Sequence, residues 1–387
     1  MRNIIQYVKD FGHKSFTEFP FNEVDSLILS QISYLNLDEF IPTVQDNKAS
    51  VRLIDILSDK VIQRMCKDTL DEKKNIRLLK AIRESARFEQ VHANYFLNLF
   101  HVEKIEQFCA VTFQFENFSY IAYRGTDLTL LGWYEDFNMA LMDQIPAQED
   151  ASKYLDIVCS LLGLNEMIYI GGHSKGGNLA VYAAVFCSEY IKKRIIRIYD
   201  HDGPGFHKDI FNTKEYLSIE HKIAKTTCKE SMVGILLIHT EKMEFVDSSG
   251  IGIMQHDPFN WKINKDGRFK KVKKANFFSK TFEKSSNEFI ESTSIEDRKK
   301  FFDMLFKVAM EKDNSTIFDF KKHPFKYFRG IKKRYHSLSE KDRIFFKKML
   351  KRYRALSRHN FRLLLKKNMK LKNKKDNQTD IIEEIYD

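Results

Sequence analysis

One stretch limits the possible folds of this chain more than any other: Met167-Ile-Tyr-Ile-Gly-Gly-His-Ser-Lys-Gly-Gly-Asn-Leu-Ala-Val-Tyr-Ala-Ala-Val-Phe186. It opens with a short apolar run of strand length and closes with an Ala-rich run, Leu179 to Phe186, that reads as a buried helix. Between them lies Gly172-His-Ser174-Lys-Gly176, a G-x-S-x-G pattern in a strand–turn–helix setting. A serine at such a sharp turn takes a strained backbone and projects its hydroxyl above the sheet edge. Side chains two residues before and two after would collide across the turn, so Gly172 and Gly176 occupy those places. The helix that begins at Lys175 aims its free N–H groups at the same spot, where an oxyanion would develop.

A strand–turn–helix of this kind belongs in an α/β fold, and the rest of the chain reads accordingly. Residues 1–108 carry helical spacing, as in Val24, Leu27, Ile28, Ile32 and Leu35, and again over Val51–Val61 and Asn75–Ile82. Sheet character begins near Phe108. Cys109–Phe115 and Phe118–Tyr123 form an expected hairpin across Glu116-Asn117. A helix from about Glu149 to Leu162, the elbow, a strand at Ile195–Tyr199, a helix-rich segment and strands at Met232–His239 and Met243–Val246 follow. Strands separated by helices imply an α/β fold, a mostly parallel sheet with helices on both faces. The expected organisation is an N-terminal helical part at 1–108, a core at 109–270 and a basic helical region at 271–387.

Net charge separates these parts. From Lys321 to Asp387 there are 22 Lys and Arg against 7 Asp and Glu, while residues 1–320 hold 42 against 46. The surplus of the whole chain, +11, therefore comes from its last part. There, Phe345, Met349, Tyr353 and Leu356 fall on one helical face, with Lys347, Lys348, Lys351, Arg352 and Arg354 around the rest. Such a helix either packs on the body with its lysines solvated or contacts an anionic membrane surface. No nucleic-acid motif is present, which disfavours that partner. Thr293-Ser-Ile-Glu296 and Ser339-Glu-Lys-Asp342 read as helix-capping sequences in the same region. The five cysteines are widely spaced and never in C-x-x-C, so reduced thiols and a cytoplasmic location, peripheral at the membrane if the tail binds there, are expected. No stretch has the length of a membrane span.

A serine nucleophile needs a base, an acid to orient the base and donors for the oxyanion. Ser174 is the nucleophile, and the backbone N–H of Lys175 is one donor. Thr126, in Arg124-Gly-Thr126 at the end of an earlier strand, is the second; one such donor contributes about 3–4 kcal/mol to the transition state. With the order nucleophile, acid, histidine, the base is His256, in a Gly/Pro-bounded loop after the last expected strand. The acid is Asp202 or Glu230, each beside a strand end, with Asp247 as a third option. No metal or organic cofactor is implied.

These residues resemble known families. Tyr123-Arg-Gly-Thr126 followed by Trp133 and Asp136, and then Gly-His-Ser-Lys-Gly-Gly, is similar to class 3 lipases. More closely, the chain resembles the Mbeg-like family, bacterial proteins of unknown function with a lipase-like α/β-hydrolase core. The matching strings are Pro20–Ser26, Arg124–Asp127 with Gly132–Phe137, the elbow, Asp202–Phe206 and Gln255–Trp261, over about residues 1–265. The resemblance implies Ser174 as nucleophile, His256 as base and Thr126 and Lys175 as oxyanion neighbours. By analogy with lipases, Arg124 and Asp136 form an ion pair that holds the oxyanion loop. A charged Lys175 departs from lipases, which carry an apolar residue there. The expected activity is hydrolysis of carboxylic esters, lipids among them, through an acyl-serine. The alternatives are an inactive hydrolase fold that binds a partner or an anionic membrane, and an acyltransferase using the same triad.

Overall fold

The computed structural model describes residues 2–46, 49–101, 106–126, 139, 144–273, 275–309 and 324–386. Among them, nine strands form one mixed sheet whose spatial order follows chain order. These are β1 (Val51–Arg52), β2 (His92–His101), β3 (Glu106–Gln114), β4 (Phe118–Tyr123), β5 (Met167–His173), β6 (Ile195–His201), β7 (Ile223–Cys228), β8 (Met243–Val246) and β9 (Lys271–Val272). The middle of the sheet, β4 to β8, is parallel; β1 to β4 and β8 to β9 pair antiparallel.

The helices are α1 (Ile4–Phe11), α2 (Glu23–Ile32), α3 (Leu53–Ile56), α4 (Asp59–Cys66), α5 (Glu72–Arg83), α6 (Pro146–Leu161), α7 (Lys175–Phe186), α8 (Glu189–Arg194) and α9 (Lys214–Ile219). Helices α6 to α9 connect successive parallel strands. Because each strand steps the same way across the sheet, right-handed crossovers put all these helices on one face. Side chains alternate along a strand, so Ile121, Tyr123, Ile168 and Ile170 meet Tyr154, Leu155, Leu179 and Ala183 on that face. Phe113, Tyr120 and Ala122 point the other way, into the N-terminal helices, against Tyr7, Leu27, Ile28 and Leu79. Each such large apolar side chain contributes about 1.5–3 kcal/mol by burial.

The Pro20–Ser26 string has a structural reason. Arg87 grips the Asp25 carboxylate with two nitrogens at 2.6 and 2.8 Å, both side chains being fully buried. Its remaining nitrogen donates to the carbonyl oxygens of Lys14, Ser15 and Phe19. Next door, Ser26 Oγ lies 2.9 Å from His201 Nε2 and 2.8 Å from Tyr120 Oη. Helix α2 is thereby tied to the end of β6.

Two expectations about strands are corrected. Residues 1–108 are not helical throughout: His92–His101 is a strand paired with β3, bulged between Asn94 and Leu97, and Val51–Arg52 pairs with it. Its polar members, Asn94 and Asn98, break the apolar run that would have marked it. Met232–His239 is not a strand but a turn-rich crossing with one isolated bridge, Phe206 to Ile238. There Ser231 Oγ accepts from the N–H groups of Val233 and Gly234, which turns the chain. The strand lies earlier, at Ile223–Cys228, where Lys225 looks like a surface residue in sequence yet is buried.

Beyond the sheet come α10 (Phe277–Glu291), α11 (Ile295–Ala309), α12 (Pro324–Ser337) and α13 (Glu340–Tyr386). They share an apolar cluster of Phe289, Phe301, Met304, Val308, Leu338, Phe346 and Met349. The caps are Ser294 (one residue later than the expected Thr293) and Ser339, each Oγ accepting an N–H three residues on. Asn287 on α10 makes a pair of hydrogen bonds with the Leu237 backbone, joining these helices to the body. All five cysteines are buried thiols, with no disulfide among the described residues. No helix among the described residues is long and apolar enough to cross a membrane.

Candidate active site

The candidate residues collect where parallel strands end. Arg124 follows β4, Ser174 follows β5 and Asp202 follows β6, and the register keeps these ends level, with Tyr123 beside Gly172 and His173 beside His201. The carboxyl ends of the strands in an open parallel sheet are where such folds place ligands. The ladder runs one rung further: Ser174 N donates to the His201 carbonyl oxygen at 2.9 Å, and Asp202 N to that of Thr226 at 2.7 Å. Both residues then take a positive φ, 59° for Ser174 and 57° for Asp202. Non-glycine residues rarely adopt that backbone, and it persists only where the surroundings enforce it. At Ser174 the enforcement is visible. A Cβ on Gly172 would fall 2.4 Å from the Gly176 carbonyl oxygen, and one on Gly176 would fall 2.1 Å from that of Tyr123.

His256 arrives from the loop after β8. Its Nδ1 is 2.6 Å from Asp202 Oδ2, and the Asp202 side chain is fully buried. The other oxygen, Oδ1, accepts from the Cys228 N–H at 3.3 Å. A carboxylate on Nδ1 keeps the proton there and leaves Nε2 as the basic nitrogen. The preceding residue anchors the loop: the Gln255 carbonyl oxygen accepts from Trp261 Nε1, Ser248 Oγ and Cys228 Sγ. The Asp202 turn is fixed from below by a buried ion pair. Lys225 Nζ donates to Asp200 Oδ2 at 2.6 Å and to the Gly203 carbonyl oxygen, while Gly203 N donates to Asp200 Oδ1 at 2.8 Å.

Glu230 is placed elsewhere. Its carboxylate accepts from Gly252 N at 3.1 Å and so caps the His256 loop rather than touching the histidine. Asp247 is held by Lys229, Lys262 and Lys270 at 2.8–3.1 Å, and these three ammonium groups outweigh partial burial and keep its carboxyl well below the usual range. Of the three carboxylates considered from sequence, Asp202 is the one brought to His256.

After β4, Gly125 abuts the elbow: a Cβ there would sit 2.5 Å from the His173 carbonyl oxygen and 3.1 Å from Ser174 Cβ. Arg124 N is held by the Cys109 carbonyl oxygen on β3. Thr126 therefore follows a segment pressed against Ser174. Arg124 Nη2 donates to Asn98 Oδ1 at 3.0 Å. The expected pairing of Arg124 with Asp136 lies outside the described residues. Lys175 is buried, and its Nζ donates to the Gln107 carbonyl oxygen on β3 at 2.9 Å. Lys175 thus reaches from the start of α7 to the backbone of the strand beside the Arg124 segment.

Two histidines that pattern reading had passed over complete the site. His173, between Gly172 and Ser174, lies with its ring 4.4 Å from that of His256, tilted by 36°, and donates from Nε2 to the His256 carbonyl oxygen at 2.8 Å. Burial, reinforced by the neighbouring His256, pushes its pKa well below the ordinary value, so it stays neutral. His201 is likewise pushed down, to about 3, by burial and then by Lys225, and sits between Ser26 and Thr226. A polar residue at the last position of an apolar strand was the available signal for both. Ser174 Oγ has no hydrogen-bond partner among the described residues and is slightly exposed. Among the described residues no three His, Cys, Asp or Glu side chains converge as a metal site would require.

Comparison with known proteins gives three results. No curated protein matches the chain. Among solved structures, it is similar to the crystal structure of M37 lipase at 15% identity and a TM-score of 0.34, over 47% of this chain and 68% of that one. The family model Mbeg1-like matches residues 82–307, well over half of the chain, which therefore belongs to the Mbeg1-like family.

Proposed function

We propose that the chain is a serine hydrolase of α/β-hydrolase type that cleaves carboxylic esters. The observation that carries this reading is the contact between Asp202 Oδ2 and His256 Nδ1 beside a serine held at positive φ. A buried carboxylate aimed at one imidazole nitrogen has a chemical use when the other nitrogen must accept a proton.

In this reading Ser174 Oγ attacks the ester carbonyl carbon while His256 Nε2 takes its proton, and Asp202 stabilises the imidazolium. The N–H groups of Lys175 and Thr126 hold the oxyanion. Collapse breaks the bond to the alcohol oxygen, which leaves with the proton from His256 and forms acyl-Ser174. Water, deprotonated by His256, attacks the acyl carbon, and the acid departs as Ser174 Oγ recovers the proton. His173 stays neutral throughout and holds the backbone of the base. Lipid esters are the substrate class suggested by the resemblance to class 3 lipases.

Initial rates on p-nitrophenyl esters of graded acyl length test the reading. Wild type is expected to hydrolyse at least one member of the series, with Ser174→Ala and His256→Ala at background. Equal rates in wild type and Ser174→Ala would remove Ser174 from the chemistry.

A further inference from the structure

We infer that the outward face of α13 is a docking surface for an anionic lipid bilayer. The helix is amphipathic, but its apolar stripe is already used: Phe346, Met349, Tyr353 and Leu356 pack into the cluster shared with α11. Arg352 is turned inward to the Ser292 carbonyl oxygen, and Asn360 to Glu288. What remains for solvent is the opposite face, where Lys347, Lys351, Arg354, Arg358 and Arg362 follow one another at spacings of three or four and are all exposed. Lys348 and Lys366 flank them.

Residues 343–375 contain no Asp or Glu. None of these seven cations enters an ion pair among the described residues, although many lysines and arginines elsewhere do. Like charges three and four apart on a helix repel one another. The arrangement therefore works against the helix until a polyanion lies along it, and bound phosphates would relieve the repulsion and release their counterions. The stripe's ends select the kind of polyanion. Ile344 is 63% and Leu365 45% exposed on the same outward face, about 30 Å apart along the axis. Apolar side chains beside cations suit the headgroup and acyl boundary of a membrane. A nucleic acid backbone offers them nothing.

The test uses the full chain carrying Ser174→Ala, so that the result does not depend on the proposed hydrolysis. Co-sedimentation is measured with phosphatidylglycerol vesicles, phosphatidylcholine vesicles and a DNA duplex. The expected result is binding to phosphatidylglycerol alone, weakened by salt. Combining Lys351→Gln, Arg354→Gln, Arg358→Gln and Arg362→Gln should weaken it by more than about tenfold without lowering the thermal melt. Ile344→Ser with Leu365→Ser should also weaken it. Undiminished binding by the quadruple variant, binding to both lipids alike, or binding to DNA in preference to phosphatidylglycerol would overturn the inference.

Discussion

Asp202 Oδ2 and His256 Nδ1 lie 2.6 Å apart although 54 positions separate them in the chain. Asp202 is fixed by the Asp200–Lys225 pair beneath its turn and His256 by the anchored carbonyl of Gln255, and Cys228 bonds to both parts, through its N–H to Asp202 and through Sγ to Gln255. The pairing is thus built into the sheet.

Replacing the acid should show it. Asp202→Asn keeps the shape but no longer favours the Nδ1 proton or an imidazolium, and is expected to slow acylation of Ser174 by roughly a thousandfold or more. Glu230→Gln, which alters a loop cap, should stay within a few-fold of wild type. Stopped-flow or discontinuous labelling rates at fixed probe concentration check both.

The serine's backbone carries a stability cost. At φ 59° and ψ −133° a side chain is strained, and glycine is not. Ser174→Gly is expected to unfold at higher urea than Ser174→Ala, by about 1 kcal/mol or more. Equal stability of the two variants would mean that the turn is relaxed.

The elbow glycines should be intolerant in the opposite sense. A methyl group on Gly176 would meet the Tyr123 carbonyl oxygen at 2.1 Å, a backbone atom that cannot rotate away. Gly176→Ala should lower stability by roughly 1–3 kcal/mol, read from urea melts.

Mild acid should draw stability from the fold through its buried histidines. His201 has a folded pKa of about 3 against an ordinary value of 6.5, a depression due first to burial. Below 6.5 the unfolded chain takes up a proton there that the folded chain refuses. Stability from this group is therefore fully present above pH 6.5 and is lost as pH falls towards 3. Between pH 7 and 5 the loss is about 2 kcal/mol. His173 is pushed the same way. Burial raises Asp200 to about 6 despite Lys225, which acts in the opposite sense between its ordinary value and 6. Because that contribution is common to both proteins, comparing wild type with His201→Gln isolates the histidine: the variant should lose less stability on acidification.

The elbow, the His256 loop and the Asp202 turn were legible in the sequence because each is a strand–loop junction marked by glycine or proline. The hairpin across Glu116-Asn117 was legible because two polar residues separate two runs rich in aromatic and β-branched residues. What was not legible depended on partners distant in the chain. Ile223–Cys228 hid as a strand because Lys225 looks solvated until Asp200 is placed beside it. Met232–His239 looked like a strand because its apolar residues are buried by crossing the body rather than by pairing. The sequence favours Asp202 over Glu230 only narrowly, and the meeting of the β6 turn with the His256 loop is what separates them. The two flanking histidines carried too little local signal, since their roles come from ring contacts and hydrogen bonds made in three dimensions.

The most direct test of the central proposal is intact-mass and peptide mapping after reaction with a fluorophosphonate. One phosphonyl adduct is predicted, on Ser174, absent from folded Ser174→Ala and formed far more slowly by Asp202→Asn. An unlabelled folded wild type, or an adduct that persists in Ser174→Ala, would contradict it.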